Sequence, residues 1–219
     1  MSLRPCWAYT KWWRGTSLMR RPSPPTLDSK KMPHRIDIDG INRNLFVLRH
    51  LVAGSRPVCQ ELRINRCVGN DDPFGWKYYL GWLKSIVSQT LIETAIKFRI
   101  LQDFLKLESQ ESMDLRPIKE KINEPRVVGY FVPELKPLML REACNKIIHA
   151  NVVMLVWLNA DDEKGKYEYW NGTVDLDGCK GQDAWSCQLY TSAFCTALDE
   201  VLLLIEEKVD WARIYEYDE

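Results

Sequence analysis

The stretch Leu140-Arg141-Glu142-Ala143-Cys144-Asn145-Lys146-Ile147-Ile148-His149-Ala150, continued after Asn151 by Val152-Val153-Met154-Leu155-Val156-Trp157-Leu158, carries a switch from helical to strand-like patterning. In its first half Leu140, Ala143 and Ile147 recur at helical spacing, and Pro137 just upstream suits a first helical position. Arg141, Asn145 and His149 recur every four residues and form one slowly drifting polar line on the other side, with Ile148 beside it. The second half is apolar and rich in β-branched residues, the composition of a strand. A chain that turns from one period to the other within a few residues mixes helix and sheet.

Downstream, Asn159 to Gly165 reads as a turn and Tyr167-Glu168-Tyr169-Trp170 alternates. Asn171-Gly172 then gives a strong type I′ hairpin signal, and Thr173 to Leu176 returns as a third strand closed by Asp177-Gly178. Asn171-Gly172-Thr173 is formally a glycosylation sequon, but the turn accounts for it. Asp183 is placed to cap a final helix to about Lys208, with Trp185, Leu189, Phe194, Leu198, Val201, Leu202 and Ile205 as its buried stripe. An acidic tail follows from Val209.

Upstream, residues 75–107 form the longest periodic segment, with Tyr79, Trp82, Leu83, Ile86, Leu91, Ala95, Phe98, Leu101 and Leu105 at helical steps. At about 1.5 Å per residue this helix is roughly 50 Å long. Val127 to Val132 reads as a short extended stretch ended by Pro133, and 108–126 as a polar loop with some helix. Before Gly69-Asn70-Asp71-Asp72-Pro73, a loop, Asp39 or Asn42 caps a helix to about Leu51 that Gly54 and Pro57 end, and 58–66 form a short second helix. The fold class expected is mainly α (α+β). It is a helical bundle with a small antiparallel three-stranded β-meander, at about 152–177, inserted before the last long helix.

The 219 residues, 46% hydrophobic with nine tryptophans, suffice for one domain with a real core, assigned to 36–219. Thirty basic and thirty acidic residues cancel, so bulk charge argues for neither nucleic acid nor membrane. The distribution is uneven. Residues 1–35 carry eight basic residues against Asp28 alone, a net +7 that the remainder offsets. With Arg20-Arg21-Pro22-Ser23-Pro24-Pro25 inside it, this arm reads as disordered or as sequence upstream of a true start at Met19 or Met32. Trp7, Trp12 and Trp13 within it would serve RNA or membrane-surface binding.

Seven cysteines, an odd count without CxxC spacing, read as free thiols in a reducing cytosol, which gives a cytoplasmic location. Three scattered histidines give no zinc set, so neither metal nor cofactor is expected. No stretch approaches the roughly 20 apolar residues of a membrane span.

The chemistry concentrates on the polar line. An imidazole has an unperturbed pKa of about 6.5 and can shuttle a proton at neutral pH. Arg141 can meet phosphate charge, and Asn145 can orient the phosphate or the ring. The structural alternative for His149 is a C-terminal helix cap, for Arg141 a salt bridge, for Cys144 a small buried residue, and for Glu142 with Lys146 an i,i+4 surface pair. Trp157, Tyr169 and Trp170 read as core and cross-strand pairs before a base-stacking platform.

The long helix bearing Leu91-Ile92-Glu93-Thr94-Ala95-Ile96-Lys97-Phe98-Arg99, followed by a helix ending Asn145-Lys146-Ile147-Ile148-His149, resembles the HEPN superfamily over residues 78–150. That family's signature is an arginine, often followed by asparagine, then a histidine after four to six residues. Here Cys144 stands in the arginine position, and Arg141 has seven residues between it and His149. The resemblance implies a dimer that places two motif copies in one cleft, and a metal-independent ribonuclease or nucleotide-binding protein of a defence or toxin–antitoxin type. Arg141, Asn145 and His149 would then be catalytic, with RNA or a nucleotide and a cognate protein as partners. The alternative is a non-catalytic interaction or dimerisation module with a degenerate motif.

Overall fold

A computed structural model describes residues 36–65, 75–107 and 116–209. The basic arm, the Gly69–Pro73 loop, the segment 108–115 and the acidic tail from Asp210 lie outside the described residues. The elements in chain order are α1 (Ile38–Glu61), α2 (Trp76–Leu107), α3 (Arg116–Asn123), β1 (Val127–Phe131), β2 (Pro137–Met139), α4 (Leu140–His149), β3 (Ala150–Asp162), β4 (Gly165–Lys180), β5 (Asp183–Tyr190) and α5 (Thr191–Lys208). The strands form one antiparallel sheet in the order β2-β1-β5-β4-β3.

This corrects the expected helical bundle with a three-stranded meander. Five helices accompany a five-stranded antiparallel sheet. The helices cover one face of that sheet. Val128, Leu155, Val174, Leu176, Cys187 and Leu189 turn inward and are buried with Leu45, Leu91, Phe98, Phe194 and Leu198 in a single core. The alternate residues Thr173, Asp175, Asp177, Ser186 and Gln188 lie half-buried on the opposite face, as a period of two requires.

Three local readings change for identifiable reasons. Asn171-Gly172 is no hairpin turn. β4 runs straight through it for 16 residues, and the β3–β4 register jumps from Leu155↔Val174 to Trp157↔Trp170. The dipeptide is therefore a bulge, and Gly172 takes φ +86° there while its missing Cβ leaves room for Val52. The true β3–β4 turn is Glu163-Lys164, and Asp177-Gly178 continues the strand.

Asp183 does not cap a helix. A two-residue turn at Gly181-Gln182, with Gly181 at φ +66°, sends 183–190 back as β5 between β1 and β4. Trp185 and Leu189 fit a strand face as well as a helix stripe, and pairing on both edges decides. The last helix starts only at Thr191.

Pro57 does not end α1. The helix is capped by Asp37, whose carboxylate accepts the Gly40 N–H at 2.8 Å, and continues to Glu61 with Pro57 inside. Ser55 and Cys59 on either side of the proline are buried, and that packing holds the last turns in place.

The 32-residue α2 is as expected in length, but its core stripe is Leu83, Val87, Leu91, Ala95, Phe98, Leu101 and Leu105. Trp82 and Ile86 point outward, Trp82 being 70% exposed.

Candidate functional site

α4 follows β2 without a break and ends where β3 begins, so its ten residues are held at both ends by the sheet. Leu140, Ala143, Cys144 and Ile147 are buried. Arg141 and His149 are exposed and Asn145 is half-buried. The three predicted residues thus share one solvent-facing side of α4, as their spacing requires. Among the described residues none of the three side chains makes a hydrogen bond or an ion pair. His149 is the last helical residue, and the polar line runs along a convex helix surface beside the start of β3.

The other side chains of α4 take different roles. Lys146 forms no pair with Glu142. Its ammonium sits 4.3 Å from the Trp185 ring centroid and 5.3 Å from that of Phe131, a cation–π clasp between α4 and the sheet. Cys144, in the position of the family's arginine, is fully buried, and burial pushes its thiol up to about 12. It is not a nucleophile at neutral pH. The positive charge of Arg99 on α2 acts on that thiol in the opposite direction. Arg99 also donates to Gln102 Oε1 at 3.3 Å. Glu93 turns the other way. With Asp37 it holds the Lys97 ammonium, at 2.5 Å and 2.9 Å, which keeps both carboxyls below their ordinary values.

A hollow of about 450 Å³ lies at the far end of the β3–β4 hairpin, lined by Gln60, Arg63, Asp162 and Lys164. Arg63 donates to Asp162 Oδ1 at 2.7 Å and to the Gly165 carbonyl at 3.0 Å. That ion pair, with a bond from Gln60, holds the Asp162 carboxyl down at about 2. These groups satisfy one another and fasten α1 to the hairpin tip. Among the described residues no three His, Cys, Asp or Glu side chains group to hold a metal ion. No described helix is long and apolar enough to cross a membrane.

No family model matches this chain, and no curated protein or solved structure matches it either. The HEPN resemblance therefore rests on the motif residues themselves.

The sequence reading missed the edge of the sheet. β3 pairs with β4 on one side only and is the last strand of the sheet. Along its 13 residues Val153, Leu155 and Trp157 face the helices, Trp157 packing at 4.4 Å against Trp76. Val152, Met154 and Leu158 face out, each 42–45% exposed. β3 carries no lysine, arginine or proline, and its only charges, Asp161 and Asp162, stand at the hairpin end, so residues 150–160 lack the charge and proline devices that stop an edge from recruiting another strand. The opposite edge, β2, is only three residues long and begins with Pro137. Strand composition was readable at 152–158, but which strand stands at the edge is a property of the pairing order.

Proposed function

We propose that this chain works as a self-associating module, with the β3 edge as its contact surface. One observation carries the reading: a long edge strand whose residues 150–160 are uncharged and mostly apolar, on a sheet whose other edge is short and proline-blocked. A solvated edge of this kind leaves backbone N–H and C=O groups and apolar side chains available together, which suits strand addition. Sedimentation velocity of the full chain, from nanomolar to tens of micromolar, tests it. The expected result is a species of twice the 25.7 kDa monomer mass. A monomer across the whole range overturns the reading.

A second reading is favoured by a separate observation, the shared exposed face of Arg141, Asn145 and His149 without partners among the described residues. A cation, an amide and an imidazole in one line suit a phosphodiester, and the HEPN resemblance implies a metal-independent ribonuclease there. Cleavage of a mixed RNA panel in EDTA, lost in His149→Ala, supports it. No cleavage by folded wild-type protein overturns it.

A further inference from the structure

Residues 150–160 of β3, before the closing Asp161 and Asp162, read the same by class from both ends. Ala150-Asn151 opens it, seven apolar residues follow, and Asn159-Ala160 closes them, with Leu155 at the centre. We infer that β3 pairs with β3 of a second copy, antiparallel, about a two-fold axis at Leu155. The inference rests on the self-association proposed above and specifies its geometry.

Antiparallel pairing of identical strands is the isologous contact of a two-fold dimer. With the axis at Leu155, Val152 faces the second copy's Leu158 and Met154 faces its Val156. All four lie on the outward face of the strand, so the match joins apolar to apolar on both sides of the axis. Asn151 faces Asn159, an amide opposite an amide. Beyond Asn151 the strand ends, so the C-terminus of α4 comes beside the hairpin end of the second copy, where Asp161 stands. Asp161 stands across from Lys166 within its own hairpin. On the helix side Leu155 meets its own copy and Val153 meets Trp157. Shifting the register by one residue would place outward side chains opposite inward ones and lose the match. The two sheets would become one of ten strands, with the exposed apolar edges removed from water.

The register makes a charge-swap test specific. Val152→Lys and Leu158→Glu each replace an exposed side chain, so the monomer fold is retained, as circular dichroism would verify. Each single variant sets a charge against an apolar partner twice per dimer and should weaken dimerisation by at least about tenfold. In the double variant Val152→Lys/Leu158→Glu, each lysine faces the second copy's glutamate, and the dimer should recover to within about threefold of wild type. Leu203→Lys on α5, 65% exposed and distant in the fold from β3, should change nothing. The pair Met154→Lys and Val156→Glu repeats the test should a variant at 152 or 158 fail to fold. A dimer indifferent to the single substitutions, or singles that weaken it with no recovery in the double, overturns this geometry while leaving self-association standing. A wild-type monomer overturns both.

Discussion

Replacing Ser55 by alanine tests how α1 is locked to the bulge in β4. Ser55 is 1% exposed, and its Oγ accepts the backbone N–H of Trp170 at 3.0 Å. Trp170 borders the residues where the β3–β4 register jumps, so the hydroxyl serves a donor at an interrupted part of the ladder. Ser55→Ala removes the acceptor and almost no volume, so the cavity contribution is small. A buried N–H left unpaired costs about 1–3 kcal/mol. Alanine's better helix propensity returns at most about 0.5 kcal/mol. The net expectation is a loss of about 1–2 kcal/mol. For a chain of this size that lowers Tm by about 2–4 °C per kcal/mol. Urea denaturation should show a lower midpoint with an unchanged slope. Ser85→Ala, on the exposed side of α2, is the control and should be neutral or slightly stabilising. If Ser55→Ala behaves like Ser85→Ala, the N–H finds another acceptor and the account of the bulge is wrong.

Other parts of the fold make their own tests. Gly172→Ala forces φ +86° on a residue with a Cβ that would sit 2.9 Å from Val52 Cγ1; strain and contact together should cost about 1–3 kcal/mol in the same urea assay. The Asp162 carboxyl, held at about 2 by Arg63, has a folded pKa below its ordinary 3.8. Its contribution to stability is therefore complete above that ordinary value and is lost as pH falls toward about 2, and Asp162→Asn should flatten the stability profile across that acid window. Cys144, Cys187 and Cys195, all buried with thiols pushed up to about 12, should resist alkylation in the native protein at pH 8. Peptide mapping should find the half-exposed Cys179 modified before them, and early labelling of Cys144 would contradict its place on the buried side of α4.

Sequence patterning located the elements that local periodicity defines. α2 is long enough for its helical period to be clear, and α4 is marked by its apolar spacing and the β-branched run after it, although Pro137, read as a first helical position, opens β2 instead. The exposure of Arg141 and His149 followed directly from their spacing on α4. What local patterning cannot weigh is pairing. Asn171-Gly172 has the chemistry of a hairpin turn, yet β5 pairs with β4 up to Thr173 and the β3–β4 ladder resumes at Trp170, so the strand continues past the dipeptide. The signal was right about φ and wrong about direction, because glycine serves a bulge as readily as a turn. Trp185 and Leu189 fit a helical stripe when read along the chain. As β5 they obey a period of two that emerges only once β1 and β4 flank them. Trp82 and Ile86 erred for another reason. A helix with exposed apolar residues offers two overlapping stripes, and only the tertiary partners select the one through Val87.

The two proposed surfaces are joined in the covalent structure, and that joins their tests. His149 ends α4 and Ala150 opens β3, so whatever binds the strand edge arrives beside the polar line. In a two-fold contact at Leu155 each His149 comes beside the hairpin end of the other copy. A phosphodiester at Arg141 and Asn145 would then be read by two chains, and the convex helix surface would gain a wall that one copy does not provide. RNA cleavage, if it occurs, should depend on dimerisation as well as on His149. Val152→Lys leaves every residue of the polar line untouched and should still lower cleavage. The double variant Val152→Lys/Leu158→Glu should restore it along with the dimer. Cleavage that follows His149 but ignores the state of the strand edge would mean that α4 acts within a single chain. The self-association of β3 and the chemistry of α4 would then be independent properties of one fold.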